Sequence, residues 1–316
     1  METRTWMALA VSTTLTASAA ADYSELIVFG DSLSDVGNFF AASAGTFPVS
    51  PPYANGRFSN GPVWVEGFAS GLGLTTSPSL LGGTNYAFGG SQTGTGLSLP
   101  PGQTTGTAFV PNLQTQVDGF LGTNAAASDA LYVVWSGAND FFVGEQDPTV
   151  PAANVAGALS DLYDAGAREF LVANLPALGQ TPQGLSSPIP GASAGLDLLT
   201  AGFNQALEAN LQGLDALPGV TIHRLDVAGI VANVGALSAS LGVTVLDQAY
   251  ADLLTGTIID PSLDPDTFLF WDDQHPSRVA HALLAERALL AVPEPGVLFS
   301  IGVLGGLVLR RSRASV

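Results

Sequence analysis

Short, continuous apolar runs recur along the chain, separated by stretches with a different rhythm. Leu26-Ile27-Val28-Phe29, Leu131-Tyr132-Val133-Val134-Trp135, Phe170-Leu171-Val172-Ala173 and Val220-Thr221-Ile222 are of strand length. Runs without polar alternation suit strands buried on both faces, as in a parallel sheet. Between them lies helical spacing. Pro62 to Leu72 opens on a proline and sets Trp64, Phe68 and Leu72 four residues apart. Asn154 to Ala165 aligns Val155, Leu159 and Leu162 before Gly166, a helix stop. Leu198 to Leu217 repeats the stripe with Phe203, Leu207, Leu211 and Leu214, and Ser277 to Leu290 follows Pro276. Strand alternating with helix predicts a doubly wound α/β sheet, with its sites at the carboxyl ends of strands. Ala41 to Gly61 and Ser77 to Pro111 break the rhythm with Gly, Pro, Ser and Thr. Their aromatics (Phe47, Tyr53, Phe58, Tyr86, Phe88) predict long loops packed over the site rather than a linker.

Composition narrows the chemistry. The 316 residues are 47% hydrophobic and 11% charged, enough for a sizeable core and too apolar for disorder. A formal net charge of −18 repels phosphate backbones, which argues against a nucleic-acid partner. All nine basic residues are arginine. Without lysine there is no Walker A lysine, no Schiff base and no Ser–Lys dyad. Without cysteine there is no thiol nucleophile, thiolate metal site or disulfide. Three histidines (His223, His275, His281) are too few for most multi-histidine metal centres, so hydroxyl, carboxylate and imidazole chemistry remains.

The two ends differ from the body. Residues 1–21 place Arg4 before an apolar stretch and then the small run Ala17-Ser18-Ala19-Ala20-Ala21, the layout of a secretory signal peptide. Residues 293–316 run Pro293-Glu294-Pro295, a 14-residue apolar stretch from Gly296 to Leu309, then Arg310, Arg311 and Arg313. That stretch is short of the roughly 20 residues of a spanning helix. The three parts in order resemble the PEP-CTERM sorting tail. The resemblance implies transient membrane contact, removal by an exosortase-type partner, and an exported product in the envelope or outside the cell. Between the ends, residues 22–292 form the predicted functional domain, with five arginines against all but two of the 27 acids.

Four segments in that domain carry candidate chemistry. Phe29-Gly30-Asp31-Ser32-Leu33-Ser34-Asp35 follows the first strand, where a serine at a strand-to-helix turn can present its hydroxyl. Taken alone, Ser32 suits a helix N-cap better than a nucleophile. In Asn85-Tyr86-Ala87-Phe88-Gly89-Gly90-Ser91, paired glycines let a backbone N–H approach a bound oxygen; a simple turn after a short strand is the other reading. Trp135-Ser136-Gly137-Ala138-Asn139-Asp140 ends the second strand and offers an Asn amide as donor, or a turn cap. In Phe270-Trp271-Asp272-Asp273-Gln274-His275-Pro276, a carboxylate three residues upstream can hold the histidine ring. His223 in a predicted strand and His281 on the last predicted helix read as structural.

Together these segments resemble the block pattern of the SGNH, or GDSL, hydrolases. Gly30-Asp31-Ser32-Leu33 resembles block I, Gly90 the block II glycine, Gly137-Ala138-Asn139 block III, and Asp272 to His275 the D-x-x-H of block V. Gly56-Arg57-Phe58-Ser59-Asn60-Gly61 and the stretch from Gly166-Ala167-Arg168 to Pro182 are similar to the plant-type esterase/lipase branch. The resemblance implies a flavodoxin-like, three-layer α/β/α fold of about five parallel strands and a Ser–His–Asp triad. Position by position, Ser32 would be the nucleophile, His275 the general base and acid, and Asp272 its orienting carboxylate, with Asp273 as the alternative. Ser32 N–H, Gly90 N–H (or Gly89) and the Asn139 amide would form the oxyanion hole, with no metal or cofactor. The implied activity is carboxylic ester hydrolysis on a small-molecule, lipid or other acylated substrate. An O-acetylesterase acting on extracellular polysaccharide and a non-catalytic surface or matrix binding protein are the rival readings.

Overall fold

The computed structural model describes residues 23–103 and 105–292, so the predicted signal peptide and sorting tail lie outside the described residues. In chain order, β1 (Leu26–Gly30) leads to α1 (Asn38–Ala42) and α2 (Trp64–Gly71). The two-residue strands β2 (Leu97–Ser98) and β3 (Val110–Pro111) and α3 (Leu113–Leu121) follow. Next come β4 (Leu131–Trp135), α4 (Ala138–Phe142), α5 (Thr149–Asp164), β5 (Glu169–Ala173), α6 (Pro182–Ser186) and α7 (Ala192–Leu214). The last part holds β6 (Thr221–Leu225), α8 (Val227–Ala232), α9 (Val234–Leu241), β7 (Val245–Ala249), β8 (Phe268–Phe270) and α10 (Arg278–Ala291).

The central sheet is parallel in the order β1-β4-β5-β6, with Leu26 beside Leu131 and Leu131 beside Glu169. On the outer side of β1, a segment too brief to count as a strand completes a fifth position. Val28 N–H donates to Thr84 O (3.1 Å), Tyr86 N–H to Val28 O (2.7 Å) and Phe88 N–H to Gly30 O (3.0 Å), a parallel ladder. Five positions in that order match the flavodoxin-like winding. Helices α2 and α10 pack together, as do α3 with α5 and α5 with α7, giving α/β/α layers. Every residue of β1 and β4 is buried, which their unbroken apolar runs require. At the sheet edge, β6 turns half-polar, and its Arg224 pairs with Glu208 and Asp215 of the α7 region.

Two helices extend beyond their expected starts. Helix α5 begins at Thr149, five residues early, because Asp147 accepts the Thr149 N–H (2.9 Å) and Pro151 sits in the first turn where no donor is needed. Helix α7 begins at Ala192 and ends at Leu214. The Gly- and Pro-rich loops pack as expected. Phe39, Tyr53, Phe58 and Phe88 form a second apolar cluster with Tyr250 and Trp271, and the Phe39 ring lies within 6 Å of Phe47, Phe58 and Phe88. The small parallel pair β7–β8 is not among the strands expected above, although its Phe268-to-Trp271 run is as long as the Leu26-to-Phe29 run of β1, and it delivers the loop that carries His275.

Candidate active site

The site begins where β1 ends. Gly30 has φ +147, and a Cβ there would lie 2.1 Å from the Trp135 carbonyl oxygen, so only glycine lets β1 run this close to β4. Asp31 then closes a tight turn, its carbonyl accepting Ser34 and Asp35 N–H and its Oδ1 accepting Leu33 N–H (3.0 Å). The next helix, α1, starts only at Asn38, so Ser32 neither caps it nor lies at its N-terminus. Asp35 takes that place, accepting N–H groups of Gly37 (2.7 Å), Asn38 (2.7 Å) and Phe39 (3.0 Å).

Ser32 Oγ lies 2.7 Å from His275 Nε2, across 243 residues of chain. The other ring nitrogen, Nδ1, is 2.8 Å from each carboxylate oxygen of Asp272. Local backbone bonding explains why Asp272 rather than Asp273 meets the ring. Its Oδ1 accepts the N–H groups of Gln274 (2.9 Å) and His275 (2.8 Å), curling the loop so that the ring at i+3 comes back over the carboxylate. Asp273 carries a carboxylate oxygen with no partner among the described residues, and burial together with the Asp272 charge pushes its pKa up to about 6. Burial alone would push His275 down, but the adjacent Asp272 carboxylate, helped by Asp273 and Asp31, holds the imidazole above its ordinary value. This polar chain can move a proton from a serine hydroxyl to an imidazole and hold the resulting cation against a carboxylate.

Gly89, Gly90 and Asn139 arrive from two other strand ends. The Gly89 N–H is already taken by Asp35 Oδ2 (2.9 Å). Gly90, at φ +82, has no acceptor for its N–H among the described residues, nor does Ser32. Asn139 donates one amide hydrogen to Ser91 O (2.9 Å), and its neighbour Asp140 accepts the Thr93 hydroxyl (2.7 Å), so α4 is fastened to the loop after Gly90. His223 and His281 lie elsewhere. His223 on β6 is 3.4 Å from Glu169, and buried His281 accepts the Trp64 N–H (3.2 Å), its pKa pushed down to about 3 by burial and by His275.

Three supporting residues had no local signal. Tyr53, in the Gly/Pro-rich loop, donates its hydroxyl to Asp272 Oδ2 (2.7 Å). Gln116 on α3 accepts the Gly30 N–H (3.0 Å) and donates to Gly30 O (2.8 Å) and Ser91 Oγ (2.9 Å), bracing the Ser32 turn against the glycine loop. Asp35 belongs to the serine motif, but its four-way grip is visible only once Gly89 is beside it. Tyr53→Phe should lower kcat for ester hydrolysis about tenfold with little change in KM, the cost of one hydrogen bond to a buried carboxylate. Steady-state kinetics checks this; an unaltered kcat would leave Tyr53 a packing residue.

The family model described as GDSL-like Lipase/Acylhydrolase matches residues 26–288. The chain is 29% identical to a phosphatidylcholine-sterol acyltransferase of Aeromonas hydrophila, covering 89% of this chain and 94% of that protein. It is 30% identical to a GDSL esterase/lipase of Arabidopsis thaliana, over 84% and 88% of the two chains. An acetylesterase of Thermothelomyces thermophilus is 29% identical, over 83% of this chain and 85% of its own.

Proposed function

The chain belongs to the GDSL-like lipase/acylhydrolase family, and from that premise we propose that it is an exported serine hydrolase cleaving carboxylic esters through an acyl-enzyme on Ser32. The relatives named as esterase, lipase and acyltransferase support acyl-ester chemistry at the general level. The observation that carries the specific reading is the 2.7 Å approach of Ser32 Oγ to His275 Nε2, with Asp272 on the far ring nitrogen. In this scheme Ser32 Oγ attacks the ester carbonyl as His275 Nε2 takes its proton. The tetrahedral oxyanion is received by Ser32 N–H, Gly90 N–H and the free Asn139 amide hydrogen. The C–O bond to the alcohol breaks as His275 returns the proton to the leaving oxygen. Water, activated by His275, then releases the acid and restores Ser32. Export to the envelope or beyond, and processing of the arginine-flanked tail, belong to the same proposal through the two terminal segments.

Fluorophosphonate labelling with peptide mapping, beside a p-nitrophenyl butyrate assay, tests the reading. Labelling on Ser32 with matching loss of hydrolysis is expected; hydrolysis that survives full labelling, or label on another residue, removes Ser32 from the mechanism. Each oxyanion donor contributes on the order of 3–4 kcal/mol to the transition state. Asn139→Ala should therefore lower kcat about 10²–10³-fold with KM little altered. A kcat within a factor of two of the parent in steady-state assays would exclude Asn139 from the hole.

A further inference from the structure

A cavity of about 460 Å³ opens beside Ser32 and His275 and extends beneath α8 and α9. Its walls are hydrocarbon: Ile230, Val231 and Val234 from the helix pair, Leu246 from β7, Leu269 from β8 and Leu283 from α10. In a chain with a net charge of −18, residues 227–246 contain no charged side chain, and neither do residues 170–196, which add Leu178 and Leu185 to the wall. Helices as apolar as α8, and as α9 whose only polar residues are Ser238 and Ser240, are ordinarily buried. Here α8 and α9 lie at the surface with only Val227 and Val234 buried, and their inner faces border the open cavity. Two polar side chains along the wall have partners already. The Thr181 hydroxyl donates to Leu178 O (2.7 Å) and the Gln180 amide to Asp197 (2.7 Å). Away from the Ser32–His275 end, where Asp31 and Gln274 also sit, and the exposed Asp247, the wall offers a sugar few hydrogen bonds.

We propose that this cavity is an acyl-chain site and that the α8–α9 wall, at Val234 and Gly235, sets the chain length the enzyme accepts. The inference rests on Ser32 as the acylated residue. With a methylene taken as similar in size to the roughly 30 Å³ share of a liquid water, the cavity holds a straight chain on the order of ten to fifteen carbons. Each buried methylene should raise kcat/KM about two- to fourfold until the cavity is full. The substrate class is therefore esters of medium- to long-chain fatty acids rather than acetyl esters.

The test is a p-nitrophenyl ester panel from acetate to palmitate, with the decanoate-to-acetate ratio of kcat/KM as readout. The parent ratio should be at least about 10². Val234 is buried against the cavity, so Val234→Phe has that space to enter and should lower the ratio at least about tenfold, moving the optimum to shorter chains. Gly235→Leu provides a second variant that the fold admits, because a Cβ there meets only Leu246 Cδ1 at 3.9 Å. A parent ratio near one, or ratios unmoved in both variants while fluorophosphonate still labels Ser32, overturns the chain site and leaves the nucleophile reading standing. Absence of both labelling and ester turnover in the parent overturns the nucleophile reading and this inference with it.

Discussion

Ser32→Ala is expected to abolish measurable ester turnover, a loss on the order of 10⁶ in kcat, with the fold intact. The expectation follows from what the hydroxyl touches. Among the described residues, Ser32 Oγ has His275 Nε2 as its sole hydrogen-bond partner, and the serine sits at the cavity wall rather than inside the packed sheet. Deleting the oxygen leaves the turn held by Asp31 and the helix start held by Asp35, both through bonds that do not involve Ser32. The cost to stability should be that of one lost hydrogen bond, about 1 kcal/mol, because the hydroxyl is the terminal member of the buried Ser32–His275–Asp272 chain and the rest of that chain keeps its bonds. The check is hydrolysis of a short-chain p-nitrophenyl ester beside thermal unfolding. Turnover within a hundredfold of the parent, at unchanged Tm, would place the nucleophile elsewhere.

Asp272→Asn is expected to lower kcat about 10⁴-fold, the second largest effect. Asparagine keeps an acceptor oxygen for the Gln274 and His275 N–H groups, so the loop survives while the charge is lost. Without it, nothing equally close holds the imidazolium formed during attack, and the amide can orient the ring in the wrong tautomer. The pH profile carries a second signature. In the proposed mechanism His275 must be neutral to accept the Ser32 proton, so kcat/KM in the parent should fall as pH drops through a pKa held above the ordinary histidine value. Burial opposes that charge and the Asp272 carboxylate supports it. With the carboxylate neutralised, burial prevails and the acid limb moves to lower pH. A pH–rate profile in which the limb stays in place, or a loss smaller than tenfold, would mean that Asp272 does not govern His275.

The parts of this site differ in how far they can be read from the chain alone. Asp272 and His275 are bound by a local turn: the carboxylate at i accepts backbone N–H at i+2 and i+3, so the pair is written within four residues. Strand ends β1 and β4 are equally local, because an unbroken apolar run followed by a glycine turn needs no distant partner to be recognised. Tyr53 and Gln116 carry no such signature. Each acts on a group dozens to hundreds of residues away (219 positions for Tyr53 and Asp272), and their own neighbourhoods, a proline-rich loop and an amphipathic helix, are ordinary. The segment Thr84 to Phe88 escapes for a related reason: it is a single brief ladder whose partner is β1, and nothing in its own pattern alternates.

The choice between Gly89 and Gly90 shows where local information ends. Both are adjacent, both are glycine, and either N–H could face a bound oxygen. Asp35, 54 residues upstream of Gly89, engages that N–H, while the N–H of Gly90 has no partner among the described residues. By itself, the sequence determined the layered α/β architecture, the absence of thiol and lysine chemistry, and the short motifs that hold each reactive group in its own turn, because short-range periodicity and backbone hydrogen bonding specify these. Only the tertiary structure decided which donors stay free, which tyrosine steadies the carboxylate and how large a space adjoins the serine. Those properties depend on which distant surfaces meet, and packing a parallel sheet between helix layers is what brings them together.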